Sequence, residues 1–301
     1  MCSNLTCVIA AQALDRTALL KLIVGGLILA PLYTPTLRDL AHAWWTHPYA
    51  GHGPWVPAFS AFFLWTDRAR IRAAVTPGHA IGLAVILLAL GLLFAGRSIE
   101  SLLLQGVSLV MCLAGMVLWI LGPRALQAAA FPVAFLLLML PLPNPVVSAV
   151  TQDLQLFAAR TAGAALDLFD VPFFLDGVLI QLPGITLTVA TVCNGLRFLS
   201  ALVVLTIAFA HLSQRSLPRK LILVASAIPI AILANAVRVA TIALAVYYIG
   251  PSAAQGFIHN SIAKGVWALT LVSLVILALI LRRGGESPRL EASHSVPIRG
   301  N

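Results

Sequence analysis

Eight runs of apolar residues divide this chain and limit its fold more than any short motif does. They cover about 17–33, 54–65, 78–95, 101–121, 125–142, 194–211, 221–248 and 261–281. A helix needs roughly 20 apolar residues to cross a hydrocarbon core about 30 Å thick, and most of these runs reach or approach that length. The second is short and recruits residues upstream of Pro54. With 60% hydrophobic and 10% charged residues, and a mean hydropathy of +0.98, the chain has too little polar surface to clothe a soluble fold. The expectation is an all-α polytopic membrane protein of about eight transmembrane helices, with the lipid bilayer as its solvent.

The formal net charge of +9 does not point to nucleic acid. The basic residues sit in short groups between apolar runs, where they set topology by the positive-inside rule. Arg68, Arg70 and Arg72, then Arg124, then Arg215, Arg219 and Lys220, then Arg282, Arg283 and Arg289 fall in alternate connections. Those connections are assigned to the cytoplasm, together with both termini. Arg16 and Lys21 precede the first run, which reads as a retained signal anchor because further runs follow. The opposite, outer side of the membrane then receives 34–53, 96–100, 143–192 and 250–260.

The long outer insert has its own pattern. Val150, Leu154 and Phe157 recur at helical spacing among Gln152, Asp153, Gln155 and Arg160, as in an amphipathic helix lying along the interface. Apolar segments at 171–175, 178–182 and 185–190 are then separated by Asp176-Gly177 and Pro183-Gly184, which are turn signals. A small β-meander is expected there, ahead of Cys193. The reading is one membrane domain over 1–283 with an outer insert at about 143–192, followed by a disordered tail over 284–301 that lacks apolar periodicity.

Polar residues at the heads of apolar runs are the candidates for function, because ionisable groups in a membrane are costly and tend to mark working sites. Cys193-Asn194-Gly195-Leu196-Arg197 opens one run, Asn235-Ala236-Val237-Arg238 interrupts another, and His259-Asn260 precedes the last. At 1.5 Å per helical residue, Arg238 lies about 27 Å beyond Lys220. Cys193 lies about 33 Å before Arg215, and His259 about 35 Å before Arg282. All three therefore reach the outer interface. A thiol is a strong nucleophile only as thiolate, which a neighbouring His or Arg favours. His259 suits general acid and base work, and Arg238 suits stabilisation of a thiolate or an oxyanion. Arg197, Asn194, Asn235 and Asn260 stand close enough along the chain to support the site or hold substrate.

Each residue also has an ordinary use: a membrane Cys as a small packing group, an Arg that snorkels, a His at an interface. The shared depth joins them into one candidate site. The four cysteines, at 2, 7, 112 and 193, have no zinc-site or disulfide-framework spacing, and no phosphate-cradling or dinucleotide-binding motif occurs. No cofactor or metal is therefore expected. His42, His47 and His52, among Trp44, Trp45 and Trp55, fit an aromatic belt with polar companions better than a metal site. Cys112 reads as packing.

At these residues the chain resembles the exosortase/archaeosortase family of membrane transpeptidases, from about residue 44 onward. The resemblance runs through His47-Pro48-Tyr49-Ala50-Gly51-His52-Gly53, the 131–143 region and the 177–184 turns to Cys193-Asn194-Gly195-Leu196-Arg197, Asn235-Ala236-Val237-Arg238 and His259. It implies that Cys193 is the nucleophile, with Arg238 and His259 completing an outer-face site. It also implies exported proteins with a C-terminal sorting signal as substrates. Such a signal comprises a short motif such as Pro-Glu-Pro, a hydrophobic helix and a basic tail, and cleavage passes through a thioester to an acceptor or water. Asn194 stands where the family commonly has Ser. Some relatives carry an additional C-terminal domain, and none is expected after the last run here.

Two other classes fit the composition. A transporter of a small molecule or lipid-linked sugar would use Arg197, Arg238 and Lys264 on an anionic substrate inside the bundle, but no inverted repeat is evident and transport needs no thiol. A non-catalytic assembly partner for polysaccharide export would leave Cys193 inert.

Overall fold

The computed structural model describes residues 16–47, 49–189 and 195–283. Cys193, Asn194 and the tail over 284–301 lie outside the described residues, as do Cys2 and Cys7. The chain packs as two compact units, 1–150 and 151–301.

The first unit opens with α1 (Arg16–Thr46), followed by α2 (Trp55–Thr66), α3 (Arg68–Ala73), α4 (Ile81–Ser98) and α5 (Leu102–Ala128). A short α6 (Ala130–Phe135) passes into a 3₁₀ turn (Leu136–Met139), and α7 (Asn144–Leu168) leads out of the unit. The first apolar run does not stop at Tyr33. Tyr33, Thr36, Leu40 and Ala43 are buried at helical spacing, so the helix continues to Thr46 through Pro31 and Pro35, and part of the expected outer segment 34–53 is helical.

The α4–α5 hairpin is built on backbone contact. A Cβ added at Gly82 would lie 2.4 Å from the Trp119 nitrogen and 2.7 Å from the Gly115 oxygen, and one at Gly78 would lie 1.9 Å from the Trp119 oxygen. Small residues let apolar helices approach closely where water does not drive them together. At Gly122, φ is +83°, a conformation that side chains disfavour, and α5 kinks there ahead of Pro123. The opened turn accepts the 76–79 segment, with Thr76 N donating to Leu121 O at 3.0 Å and His79 N to Leu118 O at 3.1 Å.

Several polar side chains inside this unit find partners. Thr36 Oγ1 donates to Gln105 Oε1 at 3.0 Å, and Arg97 donates to the Leu32 carbonyl. Trp44 Nε1 donates to Met139 O at 2.9 Å, and His52 Nε2 lies 3.0 Å from Leu138 O, clamping the 47–54 loop against the 3₁₀ turn. Phe59, Phe63, Phe131 and Phe135 pack edge to face and tilted behind it. Cys112 is fully buried among Tyr33, Ile86, Ala89 and Leu93, as packing requires.

The second unit contains the expected meander. Strands β1 (Phe174–Asp176), β2 (Leu179–Leu182) and β3 (Ile185–Thr188) pair antiparallel in the order β1-β2-β3, with Leu175 opposite Ile180 and Ile180 opposite Leu187. After it come α8 (Gly195–Ser213), α9 (Leu217–Ile249), a 3₁₀ turn (Pro251–Ala254) and α10 (Gly256–Arg283). In α7 the buried face is Ala158, Ala159, Ala162 and Leu166, whereas Val150 and Phe157 of the predicted apolar stripe are exposed. The small side chains won the inner face because they let α7 sit close to the sheet.

Among the described residues five helices are long and apolar enough to cross a membrane: α4, α5, α8, α9 and α10. A sixth is counted if 130–139 and 144–168 form one broken span. The sequence suggested eight. The run at 54–65 forms a 12-residue helix, and the run at 125–142 is divided among the end of α5, α6 and the 3₁₀ turn.

Candidate functional site

The candidate site lies in the second unit, where three pieces of chain are fixed by one apolar cluster. That cluster joins Ala158 and Ala162 of α7, Ile180 and Leu187 of the sheet, and Val239, Ala243 and Val246 of α9. Its burial holds the strands against the C-terminal half of α9, the half that begins with Arg238. Val189, the last described residue before the segment that carries Cys193, is 1% exposed and faces Val239 and Ala243 across a void of about 10 Å³.

The residues that follow that segment are packed as firmly. Leu196 and Phe198 at the start of α8 are buried, and the Phe198 ring meets Trp267 of α10 edge to face at 5.0 Å. Phe198 joins Leu202, Ala227, Ala231 and Leu274 in a second cluster that packs α8, α9 and α10 together. Further down, Gln214 Nε2 donates to Ala278 O at 3.0 Å.

His259 reaches the same neighbourhood because the chain folds back after α9. Gly250 at φ +116° ends that helix and Gly256 at φ +70° opens the next, both in backbone conformations that glycine tolerates. Between them Ala253, fully buried, returns into the cluster held by α9. Ile258 and Ile262, one helical turn apart on α10, press against that cluster and turn the start of the helix toward α9.

The imidazole lies against the backbone of Ala254, and the Arg238 guanidinium is close enough for its positive charge to act on it. His259 Nδ1 is buried and has no hydrogen-bond partner among the described residues. Arg238 is half-buried, and Asn235, three residues earlier on the same helix, is 7% exposed.

The structure thus brings together Arg238 and His259, 21 positions apart, with Asn235 beside them on α9. Arg197 is exposed near the start of α8, Asn260 is exposed next to His259, and Lys264 is exposed on α10. These three are not drawn into the buried cluster. The backbone of Ala254 and the apolar props Val239, Ile258 and Ile262 had no polar signal that would single them out in sequence. In the first unit, His42 is exposed, the His47 ring lies 5.7 Å from that of Tyr49, and His52 contacts the Leu138 carbonyl. Among the described residues no group of three or more His, Cys, Asp or Glu is placed to hold a metal ion.

The family model for the transmembrane exosortases matches residues 44–279, well over half of the 301 residues. The chain belongs to the transmembrane exosortase family. With its several apolar helices, this exosortase is a multi-pass membrane protein. The match covers the 47–54 loop, the sheet, the segment around residue 193 and the helices bearing Arg238 and His259, so the family pattern and the packing coincide over both units. No curated protein and no solved structure shows significant similarity to the chain.

Proposed function

We propose that this exosortase is a membrane cysteine transpeptidase or protease that cleaves the C-terminal sorting signal of exported proteins. The observation that carries the reading is the proximity of the Arg238 guanidinium to the His259 imidazole, next to the apolar cluster that holds Val189. Cys193 lies four residues beyond Val189 and two before the first residue of α8.

In the proposed mechanism His259 takes the Cys193 proton and the thiolate sulfur attacks the scissile carbonyl carbon. The C–S bond forms as the carbonyl π bond opens, and Arg238 stabilises the resulting oxyanion. Collapse breaks the C–N bond, with His259 returning its proton to the leaving amine. An acceptor amine, or water, then attacks the thioester and releases Cys193. Asn235 supports Arg238, while Arg197, Asn194 and Asn260 hold substrate at the entrance.

The same reading puts both termini and the arginine-bearing connections in the cytoplasm and the site on the outer face of the inner membrane. It treats 1–283 as one catalytic domain threading the bilayer in eight runs. Partners are exported proteins with a Pro-Glu-Pro-like signal and an acceptor nucleophile. The test is co-expression with a protein carrying such a signal, followed by its length on a gel. Cys193→Ala and Cys193→Ser are expected to leave it full length, whereas continued processing by either variant refutes the proposal.

A further inference from the structure

The first unit holds a cavity that the chemistry above does not use. It measures about 310 Å³ and lies between α2, α5 and the α6 region, lined by Leu64, Met116, Val117, Ile120, Val133 and Leu136 among others. Ser60 also lines it, but its hydroxyl donates to Pro132 O at 2.8 Å, so no polar ligand group is called for inside. Along α5 the wall runs from Leu113 to Leu121, a rise of about 12 Å. A partner helix is about 10–12 Å across and does not fit such a space. A single hydrocarbon chain does.

Exposed arginines stand close in the chain to residues that line the crevice. Leu121 and Ala129 both line it, and exposed Arg124 lies between them in the chain. Leu64 lines it from α2, and one turn later exposed Arg68 donates to Trp65 O at 2.7 Å with its guanidinium 4.5 Å over the Trp65 ring. Arg68 begins α3, which has no buried residue, carries Arg70 and Arg72, and packs against α5. An apolar slot with arginines close to it in the chain matches a molecule with a hydrocarbon chain and an anionic head, and the surrounding bilayer supplies one.

We infer that this crevice is a site for one anionic phospholipid, with an acyl chain along α5 and its phosphate on Arg124 and Arg68. The inference is independent of the proteolytic reading, since no residue of that site takes part. It is tested on the full-length protein in detergent, using phosphatidylglycerol and phosphatidylcholine of identical acyl chains, and inorganic phosphate alone. Bound lipid is counted by native mass spectrometry and stability is followed by thermal unfolding.

Phosphatidylglycerol is expected to bind at one site and, at about a hundredfold excess over Kd, to raise Tm by about 5 °C more than phosphatidylcholine does. Arg124→Gln and Arg68→Gln, both at exposed positions, should each weaken phosphatidylglycerol about fivefold and leave phosphatidylcholine unchanged. Val117→Phe should displace the chain and remove the difference between the lipids. Equal effects of the two lipids overturn the proposal. So does reproduction of the shift by phosphate alone, or a phosphatidylglycerol preference that survives in the double arginine variant.

Discussion

In residues 1–150, α4 and the segment before it meet α5 glycine to backbone at Gly78, Gly82 and Gly115, with space for nothing between them. In residues 151–301, α7, the sheet and α9 meet through Ala and Val side chains, and the same layer admits the half-buried Arg238 and the buried Asn235. Glycine contact gives the closest approach and the strongest dispersion per unit of helix, but any side chain added there must push backbone aside. Packing through methyl groups leaves spaces of side-chain size at its margins, and a polar group can occupy one if its neighbours answer its charge. The contrast teaches that the first unit is where this fold tolerates least, and that the second is where it can place chemistry.

Substitutions can break this comparison. The largest expected effects are on activity in the second unit. His259→Asn should lower sorting-signal processing by about a thousandfold through loss of the proton carrier. Arg238→Lys keeps the charge but loses the planar fork, and should lower processing about a hundredfold. Both should retain folded yield and a near-native Tm. Processing at wild-type rate would remove these residues from the site, and loss of folded protein would make their role structural.

Next in size is a stability effect in the first unit. Gly82→Leu should cost about 3 kcal/mol by overpacking against Trp119 and Gly115, seen as a fall in Tm and in folded yield. Gly91→Ala lies on the same helix, where an added Cβ meets nothing within 4 Å, and should stabilise by roughly 0.5–1 kcal/mol. Equal effects at the two positions would show that close backbone contact is not what holds the hairpin.

The smallest effect sharpens the comparison with a proton. Burial pushes the His52 imidazole below its ordinary value of 6.5, with backbone contacts to Leu138 and Tyr49 opposing in part. Nε2 faces the Leu138 carbonyl, while Nδ1 is buried without a partner among the described residues, so the folded loop favours the neutral ring. A lowered folded pKa means that the unfolded chain binds the proton first. Stability from this group is therefore complete above about pH 6.5 and declines as pH falls below it toward the folded value. His52→Gln keeps a donor to Leu138 and should flatten the fall in Tm between pH 7 and pH 5. An unchanged pH profile would show that His52 is not the titrating group.

Much of the second unit was legible in sequence. The turns at Asp176-Gly177 and Pro183-Gly184 bound three strands, because glycine at positive φ is a local requirement that sequence displays. The helices at 195–213, 217–249 and 256–283 follow their apolar runs for the same local reason. The first unit was less legible. The first apolar run ends at about residue 33 in sequence, yet burial of Tyr33, Thr36, Leu40 and Ala43 carries the helix on to Thr46, and the run at 125–142 is divided into short pieces.

The sequence by itself determined that the chain lives in a bilayer, where the turns of the second unit's sheet fall, and which polar side chains stand at the heads of apolar runs. Those properties follow from hydropathy and backbone preference, which each stretch carries alone. Only the tertiary structure decided that Arg238 and His259 share a neighbourhood while Arg197, Asn260 and Lys264 are exposed. That choice depends on Ala253 folding back against α9 and on Ile258 and Ile262 pressing into the same cluster, contacts between segments that no single run encodes.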